Sequence, residues 1–216
     1  MKLYIANKTC SEAVQIIANE LGLNLELIHY DVAGKTTSNN DDFLTVNPLG
    51  YVPVLVLDDG KHEPLTETIV LASYLADQHP EAGLLPARGT LDRVRHEQLL
   101  VFIATEIAQK HIPLMRKLMT EEGIAWARSK IVTAYKVFDD RLADGRPFLE
   151  GDRLTVADAY LWGTFWHERS GARIDHLNHV MAWKARMDAL PSVQKAVRDE
   201  AEIVARHTAQ ISRQAA

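Results

Sequence analysis

The chain has 216 residues, 47% of them hydrophobic and 25% charged, with a net charge of −5. These proportions are those of an ordinary folded protein and exclude disordered, collagen-like and disulfide-scaffold classes; the acidic balance lacks the basic stripe that a nucleic-acid binder needs. No apolar run approaches the roughly 20 residues that span a bilayer. One cysteine permits no intramolecular disulfide and the opening MKLYIANKTC has no long apolar run of a secretory signal, so a cytoplasmic protein is expected, without nucleic-acid or membrane partners.

Lys2 to Ile5 reads as a strand. Ser11 to Leu21 reads as a helix, with Ala13, Val14, Ile16, Ile17 and Leu21 at helical spacing and Gly22 to end it in a left-handed conformation. A second strand follows over Leu25 to Asp31, then a polar loop from Gly34 to Asp42. In VNPLGYVPVLVLDDG, Asn47-Pro48 and Gly50 punctuate, VPVLVL is a buried strand, and Asp58-Asp59-Gly60 signals a hairpin. KHEP, Lys61 to Pro64, makes that hairpin long; its return strand is Glu63 to Thr66. Ile69, Val70, Ala72, Ser73, Leu75 and Ala76 then lie at helical spacing, with Thr66 or Thr68 as N-cap and Pro80 beyond the end. A strand, crossover and parallel strand followed by a hairpin and a helix describe an α/β domain with a mixed sheet over residues 1–80.

Residues 81–89, with Pro86 and two glycines, read as a linker, and 90–216 as an all-helical domain. Leu91, Val94, Leu99, Phe102, Ile103 and Ile107 begin a long helix that Pro113 should kink or end. Ile124, Ala127, Ile131, Tyr135, Phe138 and Leu142 make a second stripe, closed by Gly145. Further helices are expected over Thr155 to Ser170, over about Leu177 to Ala189, and after Pro191.

Three features carry chemistry. Cys10 falls at a helix N-terminus, where the partial positive charge and free backbone N–H groups favour thiolate, the reactive form; the alternative is a small buried hydrophobe. Val52-Pro53 enters the buried strand. Either the bond is cis, leaving the Val52 N–H and C=O outward to pair with an extended peptide-like ligand, or Pro53 merely starts an edge strand. Glu67-Thr68, a carboxylate and a hydroxyl at a helix start, either bind an ammonium and a carboxylate together or simply cap the helix. Together the three describe a site for a small thiol peptide with a free α-amino-acid end, such as glutathione.

Those residues, with MKLY at the start, Cys10-Ser11, VNPxGxVPxL over Val46 to Leu55, LTE and a small polar residue at Leu65 to Thr68, and FxxGxxxTxADAY over Phe148 to Tyr160, resemble the cytosolic glutathione transferases along the full length. The resemblance is closest to the bacterial beta class, whose members carry a cysteine where this chain has Cys10. It implies a thioredoxin-like N-terminal domain with cis Pro53, an all-helical C-terminal domain contributing the electrophile pocket, and a homodimer. It also implies glutathione as co-substrate, attacking a hydrophobic electrophilic small molecule, with Cys10-dependent thiol–disulfide exchange as a variant. By resemblance Cys10 contacts or reversibly bonds the glutathione sulfur, Val52 pairs with the cysteinyl unit, Glu67 and Thr68 clamp the γ-glutamyl end, and Lys35 contacts the glycyl carboxylate. Ser11 is either the helix N-cap or a second hydroxyl near the sulfur.

The pattern also departs from the class. The sulfur-facing histidine and lysine of its long helix are here Ala108 and Gln109, with His111 about one turn further along. Asn7-Lys8-Thr9 replaces the usual approach to the thiol. A non-catalytic, transferase-like binding protein for glutathione or another ligand is the competing reading. For the acceptor pocket His111, Trp166 and His167 are the candidates; His176 and His179 at i, i+3 lack the partners of a metal site, and no metal is expected.

Overall fold

The first strand, β1 (Lys2–Ile5), is buried along Leu3, Tyr4 and Ile5 because it lies at the centre of a five-stranded mixed sheet. The computed structural model describes residues 1–61 and 63–214; His62, in the hairpin expected over Lys61 to Pro64, lies outside them. Two compact units form, one from Met1–Ala82 together with the segment from Leu190, the other from Gly83–Ala189.

In the first unit β1 runs parallel to β2 (Glu26–Asp31) and antiparallel to β4 (Val54–Val56), with Leu3 opposite Leu27 on one side and Leu55 on the other. β4 pairs antiparallel with β5 (Pro64–Thr66), and the order is β3-β2-β1-β4-β5. The short β3 (Thr36–Thr37) lies inside the expected polar loop, antiparallel to the end of β2, and the Thr37 hydroxyl donates to the Asp41 carbonyl at 2.7 Å. Tyr4, Ile28, Tyr30, Phe43 and Val54 form one core layer, closed by the single-turn helix α2 (Phe43–Val46), whose Phe43 ring lies 4.2 Å from that of Tyr30. α1 (Ser11–Glu20) buries Ala13, Val14, Ile16 and Ile17 against α3 (Thr68–Asp77) and the last helix, α10 (Pro191–Gln214). Gly22 has φ +64, as its place after α1 requires.

That last helix is the departure from the expected division. The reading of 90–216 as one domain does not match the units, because α10 packs on α1 and β2. The physical reason lies in its buried stripe: Val193, Ala196, Glu200, Ile203 and His207 are each no more than 8% exposed, and the two polar members meet partners in the first unit. His207 Nδ1 lies 2.9 Å from His29 Nδ1 on β2.

The second unit holds α4 (Leu91–Phe102), α5 (Gln109–Met115), α6 (Glu121–Leu142), α7 (Val156–Gly163), α8 (His167–Ser170) and α9 (Asn178–Asp188). Between α4 and α5, Ile103–Ala108 winds as a π-helix, so the long helix changes pitch before Pro113, which sits inside α5 two residues from its end. The single helix expected over Thr155 to Ser170 is broken after Gly163, where the Thr164 hydroxyl donates to the Tyr160 carbonyl at 2.8 Å. Ile131, Tyr135, Phe138, Leu142, Trp183 and Met187 are all buried in this unit, and so is Asp158. Asp158 accepts from Leu149 N, Thr155 N, Thr155 Oγ1 and Trp183 Nε1 at 2.9 to 3.0 Å, completing the capping box at the start of α7.

Candidate functional site

Cys10 is the N-cap of α1, half-buried, with no side-chain capping bond. Its Sγ lies 3.8 Å from the Val52 carbonyl oxygen, a weak S–H···O contact that joins the thiol to the loop before β4. The Val52–Pro53 peptide is cis and Val52 is partly exposed. Glu67, at the N-cap of α3, is exposed and makes no capping bond; its φ of +69 is one that residues other than glycine rarely adopt. With no capping bond, the plain-cap reading of Glu67 loses its physical basis, and a strained residue held at a helix entrance marks a candidate site. Thr68, the first residue of α3, is buried, and its side chain lowers the pKa of the Cys10 thiol. Thus the Cys10 sulfur meets the Val52 carbonyl, and the Thr68 side chain and the Glu67 carboxylate both act on the same sulfur.

The electrostatics correct one expectation. Burial, the largest influence, pushes the Cys10 thiol up; the Thr68 side chain opposes the rise, and the carboxylates of Glu67 and Glu12 add to it. Loss of hydration thus works against the thiolate that a helix N-terminus favours.

Ser11 is also placed differently. It is the first residue of α1 rather than its N-cap, is fully buried, and directs its hydroxyl to Thr9 Oγ1 at 2.8 Å and the Ala6 carbonyl at 3.4 Å. Lys35 is exposed beside β3 with φ +55, its charge in solvent.

The family model for the glutathione S-transferase N-terminal domain matches residues 9–78, and that for the C-terminal domain residues 90–168. The chain belongs to the glutathione S-transferase family. It is 34% identical over 201 residues to the glutathione S-transferase GstA of Escherichia coli O157:H7, covering 93% of this chain and 98% of that one. Among solved structures it is similar to a sphingomonad glutathione S-transferase complexed with glutathione, at 35% identity and a TM-score of 0.85, covering 93% of this chain and 99% of that one. It is likewise similar to the bacterial beta class enzyme of Sphingomonas chungbukensis, at 34% identity and a TM-score of 0.84, over 93% and 98% of the two chains.

For a transferase of this family the second unit's candidates are placed as follows. His111 is fully buried, with Nδ1 2.8 Å from Ser170 Oγ and its ring beside those of Tyr135 and Trp166. Burial, then the neighbouring His167 and Arg169, push its pKa down to about 3. The expectation that His111 lines an acceptor pocket does not match this burial: the ring lies in the core, where loss of hydration disfavours its charged form. His167 is buried against Phe165, and burial lowers its pKa too. Trp166 keeps part of its surface exposed, with the Arg169 guanidinium 6.0 Å from its ring. Ala108 closes the π-helical segment and is buried, while Gln109 is exposed.

Sequence reasoning missed two features of this site: the influence of the Thr68 side chain on the thiol, and the inward turn of Ser11. Neither has a signature in spacing, because both depend on how α3 and the loop after β1 meet in space.

Proposed function

We propose that this transferase binds glutathione on its first unit and directs the glutathione sulfur at an electrophilic small molecule. Glu67 and the N-terminus of α3 hold the γ-glutamyl ammonium and carboxylate, the Val52 backbone pairs with the cysteinyl unit, and Lys35 meets the glycyl carboxylate. Fixing the tripeptide at both ends replaces a bimolecular encounter with an oriented one. The sulfur of bound glutathione attacks the electrophilic carbon, a carbon–sulfur bond forms as the leaving group departs with its electron pair, and the thiol proton passes to solvent.

The observation that carries this reading is the convergence on one sulfur of a cis-proline backbone edge, a buried threonine and an uncapped acidic residue. The upward shift of Cys10 makes it an S–H donor to the glutathione thiolate, which supports conjugation over disulfide exchange, a reaction that needs a thiolate. A homodimer is supported by α4, which leaves Leu91, Val94 and Val101 between 56% and 62% exposed along one face.

The test pairs two variants. Glu67→Ala should weaken glutathione binding at least ten-fold by calorimetry with little change in Tm; parallel loss of both would return Glu67 to a structural role. Cys10→Ser should retain conjugation of a model electrophile within about ten-fold. A fast, reversible glutathionyl adduct on the wild type alone, seen by intact mass after incubation with oxidised glutathione, would favour exchange.

A further inference from the structure

The buried stripe of α10 contains a group that packing does not explain. Val193, Ala196, Glu200, Ile203 and His207 follow helical spacing, and at the third position an apolar side chain would fill the seam with α1 at no electrostatic cost. Instead a carboxylate sits there, 3% exposed. Beside it on α1 lies the buried Gln15, whose amide acts on the carboxylate and lowers its pKa against the larger upward push of burial. A carboxylate buried this deeply costs stability, and its bonds do something no hydrocarbon in the same place can do.

What one oxygen does is specific. Glu200 Oε1 accepts the backbone N–H of Lys8 at 2.8 Å. Lys8 has φ +54, a left-handed conformation outside the usual range for a lysine. It is the joint between β1 and α1. Downstream the chain is tied by Glu12 N to the Thr9 carbonyl and Ala13 N to the Cys10 carbonyl, both at 3.1 Å, and by the Thr9 hydroxyl to the Ala6 carbonyl at 2.9 Å. With both flanks fixed, the conformation of Lys8 decides where Cys10 sits relative to Val52 and Thr68.

We propose that Glu200 is a positioning residue for the reactive centre: through its bond to the Lys8 N–H it holds the left-handed turn that seats Cys10 against Val52 and Thr68. The last helix thereby becomes part of the machinery that places the thiol. The proposal rests on the reading of Cys10 as the functional thiol, but its test uses no glutathione, so the two can fail separately.

Cys10 is the chain's only cysteine, so iodoacetamide alkylation reports on it alone. Burial holds the thiol pKa up, and release of the turn should expose the sulfur. Glu200→Leu should therefore speed alkylation at pH 7.5 by about five-fold or more and move the midpoint of its pH profile down. Glu200→Gln, which keeps an oxygen for the Lys8 N–H, should stay within about two-fold of wild type. Adding Lys8→Gly to Glu200→Leu should restore the slow rate, since glycine adopts the left-handed turn unaided. If Glu200→Leu does not fold, Glu200→Ser, whose oxygen is too short to reach Lys8, takes its place. A leucine or serine variant as slow as wild type, a glutamine variant as fast as leucine, or no rescue by Lys8→Gly would each overturn the proposal.

Discussion

His111 offers the sharpest separation between a catalytic and a structural histidine. Its pKa falls from the ordinary 6.5 to about 3, chiefly through burial. The unfolded chain therefore binds a proton near pH 6.5 that the folded chain refuses until about pH 3. The associated stability is fully present above pH 6.5 and is lost as the pH falls from there toward 3. At 1.36 kcal/mol for each pH unit between the two values, the whole effect is about 5 kcal/mol, of which about 2 kcal/mol is gone by pH 5. The perturbation is His111→Asn, whose side-chain amide occupies the place of Nδ1 and keeps a partner for Ser170 Oγ. Urea unfolding of both proteins, followed by tryptophan fluorescence at pH 7.5 and 5.0, gives the cost of the substitution at each pH. That cost should be about 2 kcal/mol smaller at pH 5.0, because the wild type has already lost what the histidine contributes. An equal cost at both values would refute the buried-neutral assignment. A shift in the pH–rate profile of conjugation, with no shift in the pH dependence of stability, would restore His111 as a base replacing the histidine absent at Ala108.

Two further outcomes follow from the second unit. Asp158→Ala should destabilise by about 3 kcal/mol or more, since Leu149 N, Thr155 N and Trp183 Nε1 lose their acceptor in a buried site; near-ultraviolet circular dichroism and denaturant midpoints read it directly, and a Tm unchanged from wild type would contradict it. Val94→Glu, on the exposed apolar face of α4, should convert a dimer to a monomer by light scattering at micromolar concentration while leaving helical content intact; an unchanged mass would move the interface elsewhere.

What could be read from the chain is what depends on neighbours in sequence. The apolar run of β1, the apolar stripe of α1, the hairpin after β4 and the capping box at Thr155 and Asp158 are all short-range patterns, and each appears where the sequence places it. Cys10, Val52, Pro53, Glu67 and Thr68 share this property: each lies at the end of an element, so locating the element locates the residue. The sign of the Cys10 shift was not legible, because it depends on how far folding removes the sulfur from water, and two of the groups that act on it, Val52 and Thr68, stand 42 and 58 positions away. The break after Gly163 and the π-helical segment before Pro113 are likewise outcomes of packing.

The misplacement of the last helix has a more specific cause. A helix shows its partner by the apolar residues on its buried face, and in the stripe of α10 that runs from Val193 to His207 two of the five buried positions, Glu200 and His207, look like solvent-facing residues until their partners are known. Counted as surface, they leave too narrow a stripe to assign. Counted as buried, they show where the helix belongs, because a carboxylate and an imidazole enter a core at least cost opposite groups that hydrogen-bond to them. Those groups are the Lys8 N–H and the His29 ring, one two residues before Cys10 and the other on the strand that leads into the Lys35 loop. The polar residues that blurred the periodicity of α10 are therefore the ones that connect it to the rest of the first unit. A stripe interrupted by a titratable residue at the correct spacing is better read as a buried hydrogen-bonding group awaiting a partner than as the end of the stripe.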